Sequence, residues 1–178
     1  MTKRQTVSSF EELDALDLTI VRSATVAATT LASLVQNHSP LTLLSKAKFE
    51  TIGSDPLANH PLNLIEQINQ TFTYLASFEA VRYLLRHHSK HGPFHLNLGN
   101  VKGPDIYSSD GHVVAEVFAA VKPSNNRKLE KDVKKLSVVS AQYRYVFYSC
   151  ASERAGEVAP LVDCPDVRII SLGSCGPE

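Results

Sequence analysis

Cysteine is scarce in this 178-residue sequence, net charge is missing, and no long uncharged apolar run interrupts it. The three cysteines, Cys150, Cys164 and Cys175, are odd in number and follow no CxxC spacing. That excludes a disulfide-stapled miniprotein and a thiolate zinc site. It fits a reducing, cytoplasmic compartment in which they are small buried or half-exposed thiols. Eighteen basic side chains balance eighteen acidic ones, which argues against a strongly basic nucleic-acid coat protein but leaves room for a local basic face. No stretch approaches the roughly 18 to 20 uncharged apolar residues of a membrane span. The basic residues of MTKRQ are followed by no apolar block, so no secretory signal and no membrane association are expected. Internal repeats, low-complexity tracts, a P-loop, GxGxxG and GxSxG are all absent.

What remains is a chain with 43% hydrophobic residues, too apolar for a disordered tail and long enough for a full core. Its first third reads helical. Ser8-Ser9 before Glu11-Glu12 is a cap followed by acids in a first turn, and residues 18 to 36 form an apolar helix rich in small side chains. Pro40, Gly53, Asp55-Pro56 and Pro61 break the next stretch into short pieces. After Pro61, Ile65, Ile68, Phe72, Leu75, Ala76 and Tyr83 fall on one helical stripe that ends at Gly92-Pro93.

The period then changes from 3.6 to 2. Strands are expected at 94–98, 104–108 and 112–122, with a hairpin turn at Asp110-Gly111. A helix over about 127–140, an aromatic strand at 143–149, a short helix within 151–159 and a strand at 167–172 complete the pattern. The fold class is mixed α/β: residues 1–61 as an N-terminal helical lobe and 62–178 as an α/β core, or both in one compact domain.

Chemistry concentrates on the hairpin. Asp105 opens one arm and Glu116, ten intervening residues later, lies within the other. A turn at Asp110-Gly111 lays the arms side by side, and two carboxylates on one sheet face repel unless a cation joins them. Oxygen-only ligands with room for water suit Mg2+ or Mn2+.

The segments Gly103-Pro104-Asp105-Ile106 and Ala115-Glu116-Val117-Phe118, with the helix–hairpin–helix–strand order around them over residues 62 to 172, resemble the PD-(D/E)xK nuclease superfamily. The resemblance implies a restriction-endonuclease-like mixed sheet flanked by helices. It implies a metal held by Asp105 and Glu116, and a lysine two residues after the glutamate. That last position holds Phe118, which neither donates a hydrogen bond nor carries charge. Members of the superfamily move this lysine to a neighbouring element. Lys122 lies roughly 13 Å along the strand from Phe118, so Lys128 and Lys131 on the following helix are the expected replacements. A third acid from the preceding helix is Glu79 by first choice and Glu66 by second.

Between Lys122 and Lys135 the sequence has six basic and two acidic residues. Lys122, Arg127, Lys128, Lys134 and Lys135, with the amides Asn125 and Asn126, form a candidate phosphate-binding surface. The histidines at 87, 88, 91 and 95 read as a solvated helix terminus.

The leading expectation is a Mg2+- or Mn2+-dependent endonuclease of restriction or defence type, acting on double-stranded DNA as a homodimer. A catalytically degenerate member of the same fold that binds nucleic acid or a protein partner is the alternative. A small α/β interaction module unrelated to nucleases is the third.

Overall fold

A computed structural model describes residues 4–99 and 102–175. Contacts divide the chain into two units, residues 14–72 and a larger one made of 1–13 and 73–178. The boundary expected at residue 61 thus falls inside the smaller unit.

The elements run β1 (Arg4–Val7), α1 (Phe10–Asn37), α2 (Pro40–Phe49), β2 (Gly53–Ser54), β3 (Pro61–Leu62), α3 (Leu64–His88), β4 (Phe94–Asn97), β5 (Ile106–Ser108), β6 (Val113–Ala119), α4 (Lys128–Ser137), β7 (Tyr143–Ser149), β8 (Gly156–Val158) and β9 (Val167–Ser171). Mixed α/β is therefore the fold class. A seven-stranded sheet is ordered β1-β4-β5-β6-β7-β9-β8, and β2 pairs separately with β3. Strands β4, β5 and β6 are antiparallel neighbours. Strand β7 is parallel to β6, reached through α4, and β9 is parallel to β7.

Period-2 alternation decides which side of the sheet each residue serves. Val114, Phe118, Val146, Tyr148, Val167 and Ile169 form one buried cluster with Val133 and Leu136 of α4. The intervening Tyr145 and Phe147 meet the edge of Tyr83 from α3, with ring centroids 5.8 and 5.3 Å apart. The two helices therefore cover opposite faces.

Two expectations are corrected, and one further feature bears on a third. Within 151–159 there is no helix: the chain turns and adds β8 antiparallel to β9. Gly156 has φ 153°, which favours glycine, and Arg168 grips Glu157 through two 2.8 Å contacts at that edge. The N-terminus supplies β1, whose four residues pair with β4. Finally, α1 contains an 18-residue window of mean hydropathy 1.5, only 11% buried, long and apolar enough by length and composition to cross a membrane. Counting uncharged runs misses it because Arg22 intervenes and threonines dilute it. Thr19, Thr25, Thr29 and Thr30 each return their hydroxyl to a carbonyl four residues back, which masks their polarity. Core helices of soluble proteins share that length and composition.

Candidate functional site

The β5–β6 ladder pairs Ile106 with Ala115 and Tyr107 with Val114. Asp105 stands just before β5, and its side chain reaches across instead: Oδ2 accepts the Val117 backbone N–H at 2.9 Å. Glu116 is one residue away on the same strand and only 2% exposed. Its neighbours on that face, Val114 and Phe118, lie in the cluster under α4, so Glu116 is a carboxyl set into the core layer.

Helix α4 meets it from above. Lys128, Asp132 and Lys135 are spaced four and three apart, the spacing of one helical face. Lys135 Nζ lies 2.7 Å from Glu116 Oε1 and donates to the Gly103 carbonyl at 2.9 Å. Lys128 Nζ donates to Asp132 Oδ1 at 2.7 Å and also sits 5.9 Å from the centre of the Phe118 ring. Asp132 is 3% exposed. Two oxygens, Glu116 Oε1 and Asp132 Oδ2, are buried without a hydrogen-bond partner; the Lys135–Glu116 contact is an ion pair lacking hydrogen-bond geometry.

The electrostatics show that these groups share one environment. Burial pushes Glu116 up to about 7, the Asp105 charge adds to that, and Lys135 opposes it. Asp105 and Asp132 are both raised, chiefly by burial, with the lysines pulling the other way. Buried carboxyls in one environment are the donor type of a hard divalent cation. As they stand, the ligand atoms of Asp105, Glu116 and Asp132 do not gather within 4.8 Å of one another, and lysine amines already meet Glu116 and Asp132.

Several expected residues fall elsewhere. Lys131 is exposed and, among the described residues, makes no ion pair, although it is spaced three from Lys128 and four from Lys135. The amine that meets Glu116 is that of Lys135, expected only as a phosphate contact. Glu79 is corrected as a third acid. It precedes Tyr83 by one turn on α3, which covers the opposite face, and it pairs with Arg82 at 3.0 Å. Glu66 instead completes a capping box: its N–H donates to Asn63 Oδ1 at 2.8 Å, and its carboxylate accepts the Asn63 N–H at 3.4 Å. Lys122, Asn125, Asn126, Arg127 and Lys134 are exposed, with Arg127 tied to Glu130 at 2.6 Å.

Asp132 was missed, although its signal was present. It sits in the buried stripe of α4 with Val133 and Leu136, and an acid in an apolar stripe needs a partner. The same argument also pointed to Glu79, but Ile65, Ile68 and Phe72 of that stripe are exposed, and Tyr83 serves the opposite face.

The histidine terminus is also corrected. His87 is exposed, but His88 and His91 are buried. His88 Nε2 lies 2.7 Å from the Tyr145 hydroxyl, and burial lowers its pKa.

Comparison of the chain with family models, with curated proteins and with solved structures finds no match.

Proposed function

We propose that this chain is a divalent-metal-dependent endonuclease that hydrolyses DNA phosphodiester bonds, of restriction or defence type. The observation that carries the reading is the lysine amine of α4 standing 2.7 Å from the buried carboxyl of β6, beside an aspartate at the start of the neighbouring hairpin arm. The element order supports it: a helix, three antiparallel strands, a crossover helix and a parallel strand, as in restriction-endonuclease-like folds. So does the nature of the replacement at Phe118. That side chain is 5% exposed and stacks on Tyr148 at 5.8 Å, so the strand position serves packing while the cation comes from the helix.

Once drawn together around it, Asp105, Glu116 and Asp132 would hold Mg2+ or Mn2+, which when bound supplies Lewis acidity and neutralises charge at a scissile phosphate. The protein's own groups do the rest. Lys135 commits one N–H to Gly103 and keeps others to orient an attacking water and to stabilise negative charge. Glu116, with a pKa of about 7, exchanges a proton readily near neutral pH. Lys122, Lys131 and Lys134 are exposed and would be free for phosphate contacts.

The test is cleavage of plasmid DNA with Mg2+ or Mn2+ by the full chain. Lys135→Ala is expected to lower the rate by about 100-fold or more, Glu116→Gln to abolish cleavage, and Lys131→Ala to leave it within a few-fold. Cleavage that survives both Asp105→Asn and Glu116→Gln removes the proposed site.

A second reading is favoured by one observation. Both inward lysines are already matched to carboxylates, the state of a neutralised site in a domain that binds nucleic acid without cutting. Salt-sensitive DNA retention with no cleavage in either metal selects it.

A further inference from the structure

The tip of the β5–β6 hairpin carries a second constellation, separate from the carboxylates and independent of the nuclease reading. Asp110 Oδ1 is used locally: it accepts from the Ser108 hydroxyl at 2.7 Å and from the His112 backbone at 3.0 Å, which fixes the turn. Asp110 Oδ2 faces two imidazoles. His91 Nδ1, from the turn after α3, lies 2.6 Å away, and His112 Nδ1 lies 3.2 Å away. The three ligand atoms lie within 4.8 Å of one another.

The two imidazole rings stack, with centroids 5.2 Å apart and planes 26° apart. His91 is buried and its ring packs on Tyr143, so its position is fixed by its surroundings. A cleft of about 260 Å³ lined by Asp110, Gly111, His112, Ser140, Gln142 and Arg144 opens beside the group.

We propose that His91, Asp110 and His112 bind a borderline first-row transition ion, Zn2+ by preference, with the remaining coordination position open toward this cleft. Two imidazole nitrogens and one carboxylate oxygen are a zinc donor set, whereas Mg2+ prefers oxygen alone. Tetrahedral ligands at roughly 2.0 to 2.1 Å stand about 3.3 Å from each other. The His112–Asp110 separation already meets that spacing, and the His91–Asp110 contact opens by less than about 1 Å. Because His91 follows α3 and the other two ligands belong to the hairpin, the ion would clamp the hairpin tip to the end of that helix.

The experiment titrates the chelator-treated full chain with Co2+, followed by visible absorption, and then displaces it with Zn2+. One equivalent with nitrogen–oxygen ligation, displaced by Zn2+, is expected, together with a rise in Tm on adding Zn2+. Asp110→Asn keeps the local hydrogen bonds of the turn, and His112→Ala removes a side chain 52% exposed, so both variants should fold. Each is expected to weaken binding about tenfold or more and to lose the Tm shift. Glu116→Gln is expected to leave the nitrogen-ligated spectrum unchanged, which separates this centre from the carboxylate site. Full Co2+ binding in His112→Ala, loss of the spectrum in Glu116→Gln, or thiolate charge-transfer bands from the cysteines would each overturn the proposal.

Discussion

Phe118 is the residue at which resemblance and physics part company. A lysine there would complete the familiar motif, but the position lies inside a packed cluster with Tyr148, Val133 and Leu136. Phe118→Lys is therefore expected to destabilise the fold by at least about 3 kcal/mol in urea denaturation, without raising cleavage. Equal stability and faster cleavage would show that α4 does not supply the amine. Glu116 sets the pH behaviour. Its pKa rises from 4.5 to about 7 on folding, so the folded state holds a proton that the unfolded state has lost. This group's contribution to stability is greatest below pH 4.5 and declines as pH rises toward 7, by about 3 kcal/mol in all. Metal affinity runs the other way, because the ion needs the carboxylate. Metal-dependent cleavage is expected to rise through pH 6 to 7 and then level, and a pH–rate profile reads this directly. Asp105 needs a particular replacement. Asparagine retains an acceptor for the Val117 N–H, whereas alanine leaves that donor without it, at a further cost of about 1 kcal/mol.

At the scale of elements, α4 is where the fold and the candidate site coincide. Its start is unusual: Asn126 and Arg127 both have φ 54°, the left-handed region that disfavours side chains branched at Cβ. Asn126→Val is expected to cost about 1 to 2 kcal/mol, while Asn126→Gly stays within about 0.5 kcal/mol, both measured by thermal unfolding. Equal effects would show that the backbone there is not strained. Much of this region was legible from the sequence. The change from helical to alternating period placed β4 to β7, because each strand presents one buried and one distinct face. Asp-Gly marked the hairpin, where Gly111 has φ 74°. The start of α4 came within a residue because Pro123 and the asparagines break the chain before it, although β6 itself ends at Ala119, short of the expected residue 122. The layer that a helix covers was not legible, and that is why the expected third acids were Glu79 and Glu66 rather than Asp132. Sequence spacing shows which residues share a helical face, but the chain's path decides what the face meets. β8 was hidden for a related reason: three residues at an edge have too little pattern to oppose a helical reading.

At the scale of the whole molecule, the smaller unit exposes Leu18, Val21, Val26, Val35, Leu41, Leu44 and Phe49. The duplex cleavage proposed above would call for two copies of a single site, and these exposed apolar side chains are the candidates for the contact between them. A concentration-dependent homodimer is expected in sedimentation, with Leu41→Glu and Leu44→Glu together shifting it toward monomer. A monomer at every concentration would separate duplex cutting from self-association. The exposed lysines make a matching prediction on DNA. Each of Lys122→Ala, Lys131→Ala and Lys134→Ala should weaken retention and reduce the salt slope by about 1, with no preference among sequences.

Every group placed in the carboxylate–lysine site, from Gly103 through Asp105, Glu116 and Asp132 to Lys135, comes from one continuous stretch of 33 residues. The hairpin and the crossover helix are consecutive, so no distant part of the chain has to be threaded in to complete the chemistry. That stretch does not stand alone, however: its strand β5 pairs with β4, and α3 packs on the far face of the same sheet, so these groups can be rewritten within 33 residues only on a scaffold that the rest of the chain supplies.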